Sequence, residues 1–240
     1  MFRIAMKKIH FVIIALAFTG AIIGLSFILP QPMGYELQQK KFIEKITLPS
    51  PRYDSTTSIE KALLERRSVR NFKDDSLTID EVAQLLWAAQ GITDSRGFRT
   101  APSAGALYPL EVYVVIGDLK GVTKGVYKYN PHKHELVRVK NGDVRNELTL
   151  AAFGQLWIRR GAAVIVLSAI YERTTKKYGE RGNRYVHMEV GHAAQNIYLQ
   201  AQSLNLGTVV MGAFWDEAVR KVMNMPDEEH PLCIMPVGRK

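Results

Sequence analysis

The chain is poor in several of the parts from which active sites are built. Its 240 residues contain one cysteine, Cys233, which excludes an intrachain disulfide and a cysteine-based metal cluster. That cysteine sits in the apolar run Pro231-Leu232-Cys233-Ile234-Met235-Pro236-Val237, where a buried, inert thiol is expected. No Gly-x-Gly-x-x-Gly motif follows a strand-like run, so a dinucleotide fold is not expected. His192 has no second ligand at a zinc-like spacing and reads as a helix histidine; no metal is expected. Internal repeats, low-complexity tracts and a lipobox cysteine are all missing. Long apolar runs are scarce too, with one exception at the N-terminus.

That exception is the uncharged stretch Ile9 to Leu29, preceded by Arg3, Lys7 and Lys8 and ended by Pro30-Gln31-Pro32. At about 1.5 Å per residue it has the length of a membrane-spanning helix. A signal peptide competes with an uncleaved anchor, because the basic start suits both; no small-x-small cleavage site precedes the prolines. The cations on the N-terminal flank lie closer to the span than Lys40, Lys41 and Lys45, which favours a body outside the cytoplasm. Cleavage would make the protein secreted. The expected organisation is a transmembrane or signal segment over 1–30, a proline-interrupted tether over 31–57, and one domain over 58–240. The formal charge of +9 favours anionic ligands or anionic lipid. No nucleic-acid motif accompanies it, so nucleic acid is not an expected partner.

Within the body, Ser58 is placed to cap a helix over Ile59–Glu65, and Thr78-Ile79-Asp80-Glu81 is a capping box for a second helix ending at Gly91. Residues 111–116 read as a strand. Residues 125–129 and 135–139 flank Asn130-Pro131 as a hairpin, and 162–168 read as a buried strand. A long, largely buried helix is expected from Tyr185 to Leu204. A strand over 208–211, a short helix over 215–223 and a last strand over 233–237 follow. Helices mixed with a hairpin give an α+β class.

Four short segments and one residue pair carry candidate chemistry. Arg66, Arg67, Ser68 and Arg70 place guanidinium forks and a hydroxyl together, which suits phosphate oxygens but also describes a solvated helix end. Pro102, Ser103, Ala104 and Gly105 open a small-residue loop that lets backbone approach a flat ligand, or form an ordinary proline-bounded turn. Met211 and Gly212 end a strand where a backbone amide can face a ring nitrogen. Gly238-Arg239 follows the last strand, as a basic contact or a frayed tail. Lys177 and Tyr178 precede the long helix.

In this order the segments resemble the flavin-dependent nitroreductase superfamily and, within it, the SagB-type dehydrogenase branch. The match runs over about residues 58–240, and Arg99 to Tyr113 follows the SagB-type pattern closely. The resemblance implies a nitroreductase-like central mixed or antiparallel sheet flanked by helices, and a noncovalent FMN. Arg66, Arg67, Ser68, Arg70 and Arg239 would contact the phosphate, ribityl chain and pyrimidine edge. Pro102, Ser103, Ala104 and Gly105 would lie over the flavin from the partner subunit of a homodimer, and the amide at Met211–Gly212 would reach flavin N5. Lys177 and Tyr178 match the catalytic pair of azoline dehydrogenases. Gly105 or a neighbour stands at the position of an asparagine in classical nitroreductases, a departure that suits the SagB-like branch; Gly212 stands where many have an acidic residue, which leaves the backbone contact and removes a side-chain contact. The activity implied is transfer of hydride or electrons between a donor, NAD(P)H among the candidates, and an organic small molecule or peptide. Outside the cytoplasm, a membrane quinol or the substrate itself would be the reductant. Oxidation of peptide thiazoline or oxazoline rings is one alternative. A membrane-tethered flavin-binding protein without turnover is the other.

Overall fold

The computed structural model describes residues 44–240. The elements are β1 (Lys45–Thr47), α1 (Ile59–Glu65), α2 (Ile79–Gln90), β2 (Leu110–Ile116), β3 (Gly125–Asn130), β4 (Glu135–Asn141), α3 (Arg145–Ala151), α4 (Trp157–Arg160), β5 (Ala163–Ala169), α5 (Glu172–Tyr178), α6 (Arg181–Ser203), β6 (Leu206–Thr208), α7 (Asp216–Met223) and β7 (His230–Arg239). The strands form one seven-stranded sheet in the order β1-β4-β3-β2-β5-β7-β6. Every pairing between these strands is antiparallel.

The two central strands are apolar at nearly every position because both faces of the sheet are covered. On β2, Val112, Val114 and Ile116 pack with Leu85 and Leu86 of α2 and Ala193 and Ile197 of α6. The alternate residues Tyr113 and Val115 face the other way, toward Leu148, Ile158, Val219 and Met223 of α3, α4 and α7. The result is three layers, with α2 and α6 on one side and α3, α4 and α7 on the other. The pleat turns successive residues of Ala163–Ala169 to opposite faces, and because both faces are covered all seven are buried.

Local signals act as expected at the first two helices. Ser58 Oγ accepts from the Lys61 N–H, and Thr78 and Glu81 form a complete capping box. Three short helices, α3, α4 and α5, and the edge strand β1 were not anticipated. Each is seven residues or fewer, too short for periodicity to register. The long helix starts four residues before Tyr185, at Arg181, and its burial is one-sided rather than general. Gly182, Val186, Glu189, Ala193, Ile197 and Ala201 are buried, while His187, Met188 and His192 are exposed.

The chain joins the sheet before position 58. Lys45–Thr47 pairs with β4, Leu48 is buried, and the Arg52 N–H and C=O are both held by the Gln84 amide at 2.8 and 3.0 Å. Residues 45–48, within the stretch expected as a tether, are therefore part of the sheet and its core. The span from Ile9 to Leu29 lies outside the described residues. Among the described residues no helix is long and apolar enough to cross a membrane.

Candidate functional site

The segment after α1 crosses the ends of β6 and β7. Ser68 makes a parallel bridge to Thr208, the Val69 N–H donates to Thr208 O at 2.9 Å, and the Lys73 N–H donates to Arg239 O at 3.0 Å. Two glycines permit this crossing. A Cβ on Gly207 would lie 2.7 Å from Val69 Cγ1, and one on Gly238 would lie 2.8 Å from Phe72 Cβ.

The crossing assembles one cluster. Arg66 lies over the Tyr198 ring at 5.1 Å, and Arg70 over the Trp157 ring at 5.7 Å. Neither guanidinium is held by a carboxylate among the described residues. Ser68 Oγ is 3.0 Å from Tyr198 Oη, which also accepts from the Val210 N–H at 2.8 Å. The Met211 N–H and C=O are both engaged by Ile234, and Met211 Sδ accepts from Trp157 Nε1 at 2.7 Å. Gly212 is exposed, a Cβ there would meet nothing within 4 Å, and its N–H has no acceptor among the described residues.

Two predicted residues are otherwise engaged in this chain. Arg67 turns back on α1, Nη1 donating to Leu64 O and Arg66 O at 2.9 and 2.8 Å. Arg239 makes a two-pronged ion pair with Glu81, at 2.5 and 3.0 Å, tying β7 to the capping box of α2. The charge at Arg239 is therefore shared with a carboxylate.

The second cluster is formed by the loop. Gly105, at φ 64°, lies beneath Lys177 and Tyr178; a Cβ there would be 2.7 Å from Tyr178 Oη and 3.0 Å from Lys177 Nζ. The pair sits at the C-terminal end of α5, a helix rather than a loop, with Tyr178 edge-on to Tyr185 at 5.1 Å. Ser103 Oγ accepts from the Tyr108 N–H at 2.9 Å and closes the loop on itself.

Both clusters touch α6: Tyr198 anchors the first, and Asn196 Nδ2, two residues earlier, donates at 3.3 Å to Thr100 O just before the loop.

Tyr198 and Trp157 were not singled out by sequence reasoning. Tyr198 occupies an ordinary position on the buried face of α6, and Trp157 lies in a four-residue helix. Their link to the site depends on the pairing of Ser68 with Thr208, which no local pattern encodes. Cys233 is buried as expected, and burial pushes its thiol up to about 12, so it carries no thiolate chemistry near neutrality.

Comparison with known proteins identifies the family. The Nitroreductase family model matches residues 63–239. A relative from Methanocaldococcus jannaschii named as a nitroreductase is 53% identical over 182 residues, covering 76% of this chain and 91% of that protein. The microcin B17-processing protein McbC of Escherichia coli is 29% identical over 197 residues, covering 78% of this chain and 72% of its own. A solved nitroreductase-type structure from Ralstonia eutropha is 29% identical, with a TM-score of 0.71 over 81% of this chain and 89% of that one. The antiparallel sheet, the crossing at Ser68 and the extent of these matches lead to one conclusion: this chain belongs to the nitroreductase family and is an oxidoreductase of that family.

Proposed function

We propose that the protein is an FMN-dependent oxidoreductase that moves hydride or electrons between a donor and an organic substrate. The observation that carries this reading is the first cluster. Two guanidinium groups without carboxylate partners among the described residues and a serine hydroxyl lie beside a strand end where Gly212 is exposed and its N–H has no acceptor among the described residues. Arg66 and Arg70 suit one terminal phosphate. Ser68 suits a ribityl or ring oxygen, and the Gly212 N–H suits a ring nitrogen. If Tyr198 donates to Ser68, the serine proton is free for a ligand oxygen. When bound, the flavin supplies the redox chemistry, and these residues orient it and keep water from one edge.

The family resemblance of the Pro102–Gly105 loop supports a site completed by a second copy of the chain. The exposed Leu63 and Leu64 beside the arginine cluster, and Met188 on α6, offer apolar surface for such a contact. On this reading Lys177 and Tyr178 of one copy face the flavin held by the other.

A second reading, oxidation of azoline rings in a peptide, is favoured by the Lys177–Tyr178 pair over Gly105 and by the similarity to McbC. In that chemistry the lysine and tyrosine would assist removal of a ring proton. NAD(P)H as donor belongs to the first reading.

Heat-released cofactor should co-migrate with FMN on chromatography, and the loaded protein should turn over with a screened donor and acceptor. Recovery of FAD, or no flavin after reconstitution, sinks the FMN reading. Bound FMN without turnover against any donor or azoline peptide leaves a flavin-binding role instead.

A further inference from the structure

The hairpin of β3 and β4, residues 107–108 and the start of α5 enclose a cavity of about 610 Å³ that the reading above does not use. Its volume is that of a small-molecule site. Leu107, Pro131 and Val137 give it an apolar lining, and Arg99, Glu111, Lys128 and Arg173 a charged one. The charged lining is built from long-range pairs. Lys128 Nζ lies 3.0 Å from Glu111 Oε2 and 2.5 Å from Glu229 Oε1, and Arg173 Nη2 lies 2.5 Å from Glu111 Oε1. Behind them, Glu229 Oε2 accepts from Tyr113 Oη at 2.8 Å and from Ser168 Oγ at 3.1 Å. The oxygens of both carboxylates are thus already engaged, so a cationic ligand finds no free counter-ion in this pair.

Arg99 is the cation left over. It makes no ion pair among the described residues; Nη1 donates to Gln90 Oε1 at 2.8 Å, and Nε is buried without a partner. Its guanidinium lies 4.5 Å from the centre of the Tyr108 ring. Tyr108, at φ 46°, is held in the left-handed region by Ser103 Oγ on its N–H at 2.9 Å and Arg173 Nη1 on its carbonyl at 3.2 Å. Glu189 is 2% exposed, and burial pushes its carboxyl up to about 7, so near neutrality it gives Arg99 only part of a counter-charge. A half-buried guanidinium without an anion is costly, and its planar fork matches a carboxylate. Three cations against two carboxylates suit a monoanion better than a phosphate dianion.

We propose that this cavity is a subsite for a small organic carboxylate, with Arg99 taking the carboxylate and Leu107, Pro131 and Val137 the apolar body. The inference rests on the flavoenzyme reading only for its catalytic part, in which that ligand is the substrate. Arg173 and Lys177 stand one turn apart on α5, on one face of it. Arg173 reaches the Tyr108 carbonyl and Lys177 lies over Gly105, so the loop runs along this helix from the Lys177–Tyr178 pair to the cavity. The rise between the two positions is about 6 Å. A planar ring with a carboxylate at one end and a reacting group at the other has a similar length. Held by Arg99, such a ligand presents its far end toward Lys177 and Tyr178.

The test uses the full-length protein, with and without FMN, and three probes: 4-nitrobenzoate, the neutral 4-nitrobenzamide and 4-nitrophenyl phosphate. In calorimetry at pH 7, 4-nitrobenzoate should bind once per chain, at least tenfold tighter than the amide and tighter than the phosphate. Arg99→Gln should erase the preference over the amide. Val137→Glu, which sets a like charge in the lining, should weaken the carboxylate about tenfold and decides the matter if Arg99→Gln does not fold. Equal affinity for acid and amide, tighter binding of the phosphate, or a preference that survives in the variants overturns the proposal. The catalytic part is read by reoxidation of the photoreduced FMN-loaded protein. Each nitro group takes two electrons from the flavin and two protons, and loses one oxygen as water to leave a nitroso group. Reoxidation should saturate at tenfold lower 4-nitrobenzoate than 4-nitrobenzamide in the wild type, and at equal concentrations in Arg99→Gln. Equal saturation in the wild type removes the cavity from the chemistry. If the wild type takes up no flavin, the flavoenzyme reading falls, while calorimetry still judges the cavity.

Discussion

Arg66 and Arg70 rest on aromatic rings, with no carboxylate partner among the described residues, so their charge is available at little rearrangement. A charge-assisted contact to phosphate is worth roughly 1.5–3 kcal/mol. Arg66→Ala and Arg70→Ala should therefore each weaken FMN affinity about ten- to hundredfold, with little change in melting temperature. Titration of the apoprotein checks this, and unchanged affinity would mark the cluster as surface charge. Arg239 is a different case, because its guanidinium also joins β7 to α2 through Glu81. Glu189 links residue chemistry to stability. Its carboxyl is raised from an ordinary 4.5 to about 7, so the folded state binds its proton more tightly than the unfolded chain does. The resulting stability is present in full below about pH 4.5 and is lost as pH rises through about 7. The loss is roughly 3 kcal/mol at most. Glu189→Gln should flatten this decline, so melting curves of the two proteins should converge at low pH and favour the variant at pH 8. A parallel pH dependence in both would show that Glu189 does not titrate in this range.

At the scale of elements, the turn at Ala104–Ala106 and the end of α5 work together. Gly105 is required twice, by its positive φ and by the side chains above it. Gly105→Ala costs about 1 kcal/mol in backbone strain. The added methyl also displaces Tyr178 and Lys177, which are flexible enough to move. Stability should therefore change little, while turnover with an acceptor should fall at least tenfold, as a misplacement of about 1 Å can cause. Steady-state kinetics beside thermal melts separate the two effects, and unaltered kcat would remove the pair from the chemistry. The long-range register of β7 has the complementary role. One ten-residue strand pairs with both β5 and β6, so a single element carries Ile234 to Met211 and Arg239 to Lys73.

At the scale of the molecule, the proposed site is completed by the small-residue loop of a second chain, as the family resemblance implies. Light scattering of the 27.1 kDa protein should report twice that mass. Replacing Leu63 and Leu64 by glutamate should reduce both dimer and bound FMN, because these exposed side chains border Arg66. A flavin-loaded, active monomer would refute the shared site.

Much of this was legible in the residues themselves. The cap at Ser58, the capping box at Thr78, the hairpin at Asn130-Pro131 and the apolar runs of β2 and β5 depend on neighbours within a few positions, and local sterics and hydrogen bonds suffice to set them. The candidate residues were legible as well, through the order of Arg66–Arg70, Pro102–Gly105 and Met211–Gly212. What the tertiary structure alone decided was their company. Tyr198 meets Ser68 across 130 positions, and Arg239 meets Glu81 across 158. Such meetings follow from sheet order and helix packing, in which burial of apolar faces brings distant segments together whatever their polar residues then find beside them.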